Sequence, residues 1–251
     1  DTINGGLGTD TIFAGTGNDS VVTNAGSETV DLGDGNDTLT ASHGVDSLTA
    51  GLGTDTLLVD LDYSGFGVGN ALRYFIGTPG FANLVNATSS YAAIAALLPS
   101  SSTYMNLQVS GGSDQFGAVG FESIVTNLVG TADGDLLIYQ GGTKYWGGAG
   151  ADTFYADWGT TLSPITWIND PTLTQTVNGV SVAGLERLLI TTGVGNDQVN
   201  NNYAGNGTSD YIDTGAGNDT INGGLGTDTI FAGAGNDSVV TNAGSETVDL
   251  G

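Results

Sequence analysis

Cysteine is absent from the chain, so no disulfide framework can staple it and its redox surroundings leave no mark on it. Cations are nearly absent too. Arg73, Lys144 and Arg187 stand against 27 acidic residues, for a formal net charge of −24 in 251 residues. A surface of that sign repels phosphate backbones and anionic lipid, which excludes nucleic acid and acidic membrane surfaces as partners. There is a single histidine, His43, and no serine near it has a histidine–carboxylate relay, so the means of nucleophilic catalysis are missing. No apolar run is long enough to span a bilayer, which argues against membrane insertion, and none has the form of a signal peptide.

What is abundant is glycine, 43 residues of it, and most of it keeps time with the acids. Over residues 1–58 an acidic residue returns every ninth position: Asp1, Asp10, Asp19, Glu28, Asp37, Asp46 and Asp55. Two places after each stands an aliphatic residue, giving the series Ile3, Ile12, Val21, Val30, Leu39, Leu48 and Leu57. A glycine usually stands two places before the acid, as at Gly8, Gly17, Gly26, Gly35, Gly44 and Gly53. The clearest unit is Gly5-Gly6-Leu7-Gly8-Thr9-Asp10-Thr11-Ile12-Phe13, or G-G-x-G-x-D-x-U-x with U aliphatic.

Glycine tolerates left-handed φ and close backbone approach, so G-G-x-G reads as a tight turn whose carbonyls can face an ion. The x-U-x run after the acid reads as a short strand with one aliphatic side chain facing a core. Two units make a flattened coil of 18 residues, and stacked coils bury the rows Ile3-Val21-Leu39-Leu57 and Ile12-Val30-Leu48 against each other. The acids then stack in the turns, where like charges repel unless a cation lies between them. Carboxylate and carbonyl oxygens are hard ligands and select Ca²⁺ over zinc or copper. Turn propensity accounts for Asn18-Asp19, but not for an acid at seven consecutive steps, one of them Glu28.

These units closely resemble the RTX (repeats-in-toxin) calcium-binding nonapeptide family. The resemblance implies an all-β chain, a parallel β-roll or β-helix solenoid with two less regular inserts and one short helix, carrying multiple Ca²⁺ ions. The expected metal positions in the first block are Asp1, Gly6, Gly8, Asp10, Gly15, Gly17, Asp19, Glu28, Gly33, Gly35, Asp37, Asp46, Gly51, Gly53 and Asp55. In the middle they are Asp135, Gly148, Gly150, Asp152, Gly193, Gly195 and Asp197. Towards the end they are Asp210, Gly215, Gly217, Asp219, Gly224, Gly226, Asp228, Gly233, Gly235, Asp237 and Glu246. About ten ions at two charges each would bring the chain near neutrality, and without them it is expected to be largely unfolded.

The chain divides into five stretches: a regular β-roll over 1–58, an irregular β module over 59–128, a short nonapeptide block over 129–156, a second non-calcium module over 157–191, and a β-roll over 192–251. Residues 219–251 repeat 1–33 with one change, Thr16 becoming Ala234, so a unit of 218 residues is expected to recur in tandem in a longer parent. In the first module, Ser89–Leu98 before Pro99 predicts a short helix, Met105–Val109 a strand, and Gly111-Gly112-Ser113 a turn. The two modules mirror each other in outline. Asp157-Trp158-Gly159 answers Asp62-Tyr63-Ser64, and Val182 to Arg187 answers Val119 to Ser123.

Competing sites are weaker. G-x-G-x-x-G lookalikes open no helix after a strand, and the regular spacing of the carboxylates speaks against a glycosidase pair. Tyr63, Tyr74, Phe75, Trp158 and Trp167 are better read as caps on the hydrophobic rows than as a sugar-stacking surface. His43 is expected to face solvent in a turn. The third positions of the units, Leu7, Thr16, Ala25, Asp34, His43 and Leu52, form no threonine row, which excludes ice binding. The reading is a non-enzymatic structural repeat of a large secreted bacterial protein at the cell surface, an adhesin shaft, layer or filament whose partners are neighbouring copies or laterally packed chains. An accessory folding or secretion module of a secreted polysaccharide-modifying or hydrolytic enzyme is the alternative.

Overall fold

A computed structural model describes residues 1–62, 64–65, 72–76, 84–96, 98, 105–109 and 115–251. The first 62 residues wind as flattened coils, and each short strand pairs in parallel with the strand one coil later. On one face Thr2–Asn4, Ser20–Val22, Thr38–Ala41 and Thr56–Asp62 lie side by side, so that Ile3, Val21, Leu39 and Leu57 stack. On the other, Thr11–Phe13, Thr29–Asp34 and Val45–Leu52 stack Ile12, Val30 and Leu48. The period of 2 along each strand turns one side chain inward and its neighbours outward. Thr11–Phe13 shows this directly, with Ile12 buried between two exposed residues.

The first insert leaves this stack and returns to it. Gln115–Val119 adds to Val45–Leu52 in parallel, and Ser123–Val129 adds to Thr56–Asp62, with Ile124 opposite Leu57. Beyond Gln115–Val119 the same sheet continues with antiparallel pairing through Met105–Val109, Leu72–Ile76 and Leu84–Val85. The expected strand at Met105–Val109 is present. The expected helix is shorter than predicted, Tyr91–Ala95, with the Ser90 hydroxyl accepting from the Ala93 N–H at 3.2 Å as its N-cap. Tyr63, Pro99 and the turn Gly111–Ser113 lie outside the described residues, as do the side chains of Tyr74 and Phe75.

The solenoid then continues with new strands on both faces. Leu136–Ile138, Thr153–Asp157, Arg187–Thr191, Tyr211–Asp213, Thr229–Phe231 and Thr247–Asp249 form a six-stranded sheet. Thr166–Ile168, Gln198–Asn200, Thr220–Asn222 and Ser238–Val240 form the four-stranded sheet that alternates with it along the chain. One buried cluster runs the length of the molecule. Its aliphatic rows widen in the middle into aromatics: Tyr145 against Phe154 at 5.4 Å, Phe154 against Trp167 at 5.8 Å, and Trp158 against Trp167 at 6.3 Å between ring centres. Trp158 and Trp167 are therefore core residues and offer no surface to a sugar. His43 is half-buried, against the expectation that it faces solvent, because the turns of successive coils cover one another.

Leu39 is fully buried between Val21 and Leu57. Replacing it by alanine is expected to cost about 2–5 kcal/mol, because stacked coils on both sides leave the cavity unable to collapse. Exposed Ser20→Ala should stay within about 0.5 kcal/mol. Denaturant melts of the calcium-loaded variants measure both.

Candidate metal centre

Stacking in register brings most of the acids' carboxylates beneath the backbone of the acid one coil earlier. Asp37 accepts the Asp19 N–H at 2.7 Å, Asp46 the Glu28 N–H at 3.0 Å, and Asp55 the Asp37 N–H at 2.8 Å. In the last block Asp228 accepts from Asp210 at 2.9 Å and Asp237 from Asp219 at 2.9 Å. One carboxylate oxygen is thereby used up. The second is buried and has no protein partner among the described residues at Asp10, Asp19, Asp37, Asp55, Asp152, Asp228 and Asp237, and both oxygens of Glu28 are in this state. A buried ionised oxygen without a partner is costly, and one such oxygen per turn at a fixed spacing calls for a cation.

The turns leave room for it. A Cβ on Gly5 would sit 3.2 Å from the open oxygen of Asp10, and on Gly223 2.5 Å from that of Asp228. On Gly26 it would run into the Gly8 carbonyl and the Glu28 carboxylate together. Gly33, at φ +93°, carries the same requirement against the Gly15 carbonyl. Glycine is thus needed where carbonyl and carboxylate oxygens approach one another. Among the described residues no three carboxylate or imidazole side chains converge, so turn carbonyls must complete any ligand set. Oxygen donors of both kinds fit Ca²⁺, which takes six to eight of them in flexible geometry.

The predicted positions do not all share this arrangement. Every predicted turn glycine except Gly193 and Gly195 has positive φ; those two pack instead against Thr161 and Pro164 of the second insert. Asp1 is exposed, its amino group against the Asp19 carboxylate. Glu246 has one open oxygen. Three acids have the second oxygen filled from within. The Asp135 carboxylate accepts from the Thr131 N–H and hydroxyl, Asp197 from the Thr192 hydroxyl, and Asp210 from the Asn201 amide at 2.8 Å.

Two members of the acid row escaped the nonapeptide reading. Glu122 accepts the Asp55 N–H at 2.7 Å and Glu186 the Asp152 N–H at 2.8 Å, so both inserts end by handing a carboxylate back to the row. Their signal is legible in hindsight as G-x-E-x-U, in Gly120-Phe121-Glu122-Ser123-Ile124 and Gly184-Leu185-Glu186-Arg187-Leu188. The openings of the inserts match as well: Ser64 and Gly159 each donate N–H to an aspartate two residues back, Asp62 at 2.9 Å and Asp157 at 3.0 Å.

The RTX calcium-binding nonapeptide repeat matches the chain in four copies, over residues 1–21, 22–57, 145–161 and 204–251. The chain is a tandem-repeat segment that carries RTX calcium-binding nonapeptide repeats over these four stretches, a little under half of its length. Such repeats bind calcium, are structural and generally not catalytic, and are typical of secreted proteins. No curated protein matches the chain. Calcium here would supply charge neutralisation between coils, held by the carboxylates with open oxygens and by the neighbouring glycine carbonyls.

Asp19→Ala removes an open carboxylate from the row and is expected to lower the number of bound calcium ions and their affinity. Asp170→Ala should leave both unchanged, because Asp170 only caps the turn at Thr172, accepting from its N–H at 3.0 Å and its hydroxyl at 2.6 Å. Isothermal titration of the two variants reads the difference, and equal losses would refute the assignment.

Burial pushes Asp152 up to about 8 and Asp210 up to about 7, and raises Asp228 as well. These groups hold protons in the folded chain at pH values where the unfolded chain has lost them. The calcium-free fold should therefore gain stability as pH falls from above 8 through 7, levelling off near the ordinary carboxylate range around 4. Calcium affinity should move the opposite way and weaken over the same span, since protons compete for the ligands. Thermal melts in chelator and calcium titrations at matched pH values test the opposed signs.

Proposed function

We propose that this repeat is a calcium-dependent spacer in a large secreted protein at the bacterial cell surface, where it lengthens and stiffens an adhesin shaft, layer or filament. The observation that carries the reading is the repetition of residues 1–33 as 219–251, both wound as coils of parallel, in-register strands. Ile221 takes the place of Ile3 and Ile230 that of Ile12, and both are buried in the continuing stack. The coil that closes one period is thus the coil that opens the next, and open strand edges favour such addition. The partners of the chain are then neighbouring copies of the same repeat, joined end to end, and lateral pairs of such rods. The net charge of −24 keeps calcium-free chains apart and lets ion occupancy govern their stiffness.

At about 4.8 Å per coil, each period adds roughly 40–60 Å of length. Electron microscopy of tandem chains of one, two and four periods should show rods whose length rises linearly with period number in calcium and shortens in chelator. Particles whose length ignores period number would instead favour an accessory module attached to a secreted enzyme.

A further inference from the structure

The acidic turns fall into two kinds, and the division follows position in the chain. In the outer blocks the second carboxylate oxygen is open at Asp10, Asp19, Asp37, Asp55, Asp228 and Asp237. In the middle, Thr131, Thr192 and Asn201 donate to that oxygen on Asp135, Asp197 and Asp210. Thr192 stands five places before Asp197, the position where Gly5 and Gly223 leave space beside the open oxygens of Asp10 and Asp228, and its hydroxyl fills that space.

Amide nitrogens extend the substitution to the carbonyls. Asn169 donates to the Leu185 carbonyl and to the Asn201 side-chain oxygen, both at 2.7 Å. Asn201 donates to the Glu186 carbonyl at 3.0 Å as well as to Asp210, and the Asn206 amide donates to the Asn201 carbonyl. An NH₂ group that bridges a carboxylate and a carbonyl satisfies the same oxygens that a cation would. Asn169 and Asn201 are both buried, so these bonds are made out of water, where leaving the acceptors unpaired is expensive.

The same stretch has the largest side chains of the core, with Tyr145, Phe154 and Trp167 fully buried. It is also clamped from outside by the first insert. Tyr91 of the short helix stacks on Tyr211 at 4.0 Å and on Tyr155 at 5.0 Å, and its hydroxyl meets that of Thr191 at 2.7 Å. Arg187 donates to the carbonyls of Ala87 at 2.9 Å, Ser89 at 2.8 Å and Ser209 at 2.6 Å.

We infer that residues 123–213 form a calcium-independent keystone: hydroxyl and amide donors replace the ion in its turns, and it stays folded when the calcium-dependent arms on either side lose their metal. Asp152 is the turn within it that keeps an open oxygen, and its neighbours Asp135 and Glu186 are tied to it by backbone bonds at 2.7 and 2.8 Å. A rod of such repeats would alternate permanent blocks with blocks that stiffen or melt with calcium, so chelation would leave folded beads on slack connectors.

All three tryptophans, Trp146, Trp158 and Trp167, lie inside the keystone, so their emission reports on it alone. On the full chain in chelator, the far-UV β signal should fall while tryptophan emission stays at its native, blue-shifted position. Hydrogen exchange should show residues 136–213 protected and residues 1–57 and 223–251 exchanged. Emission that moves to its urea-unfolded position together with the loss of β signal would overturn the inference, and so would equal protection of arms and centre. Thr192→Gly restores the glycine of the nonapeptide beside Asp197 and is expected to raise the calcium bound per chain by one ion in equilibrium dialysis. An unchanged stoichiometry would show that the threonine does not stand in for an ion.

Discussion

The structure depends on one bond repeated in most turns, from a backbone N–H to the carboxylate one coil further on. It fixes the register between coils, because a slip would take the acid away from its donor and turn every aliphatic residue outward. The usual separation of the two residues is 18, yet the bond survives when the chain between them grows to 22, 34 or 67 residues. Inserts are tolerated because loop closure costs little for each doubling of length, provided that their last residues return an acid to the row. Glu122 and Glu186 do this.

Where it forms, the bond uses one oxygen of the carboxylate and leaves the other for whatever can meet it. Where no donor reaches it, as beside Gly5 at Asp10 and Gly223 at Asp228, the second oxygen stays open, and the electrostatic cost of stacking like charges falls on calcium. Two unit charges about 4 Å apart repel by roughly 1 kcal/mol in water and by several times that when solvent is excluded. Where a threonine or asparagine projects into the space, the cost is met by the chain. The presence of a hydrogen-bond donor aimed at the second oxygen therefore decides which part of the solenoid answers to the ion and which does not.

The hydrophobic rows supply the remainder. A single nonapeptide buries one aliphatic residue and cannot hold a core, so stability comes from neighbours. Leu39, Leu48 and Leu57 are wholly buried only because coils lie on both sides of them. Through the centre the rows broaden to Tyr145, Phe154 and Trp167, and a wider core accompanies turns that carry their own donors. The clamp of Tyr91 and Arg187 then ties the first insert to strands a hundred residues further along the chain.

The sequence by itself determined whatever has a short period. The nine-residue return of acid and aliphatic residue specified the coil, the parallel pairing of Ile3 with Val21 and of Ile12 with Val30, and the chemistry of the ion, since each unit interacts with its copy in the next coil. Tertiary structure alone decided what depends on residues far apart or on the direction of a single side chain. The returns of Glu122 and Glu186 to the row lie 67 and 34 residues from the groups they meet. Thr131, Thr192 and Asn201 belong to residue types common throughout this chain, and only the folded turns aim them at a carboxylate oxygen. The burial of Trp158 and Trp167 likewise follows from strands that the spacing does not encode. Local periodicity is written in each unit, whereas the partner of a lone donor exists only once the coils have closed over it.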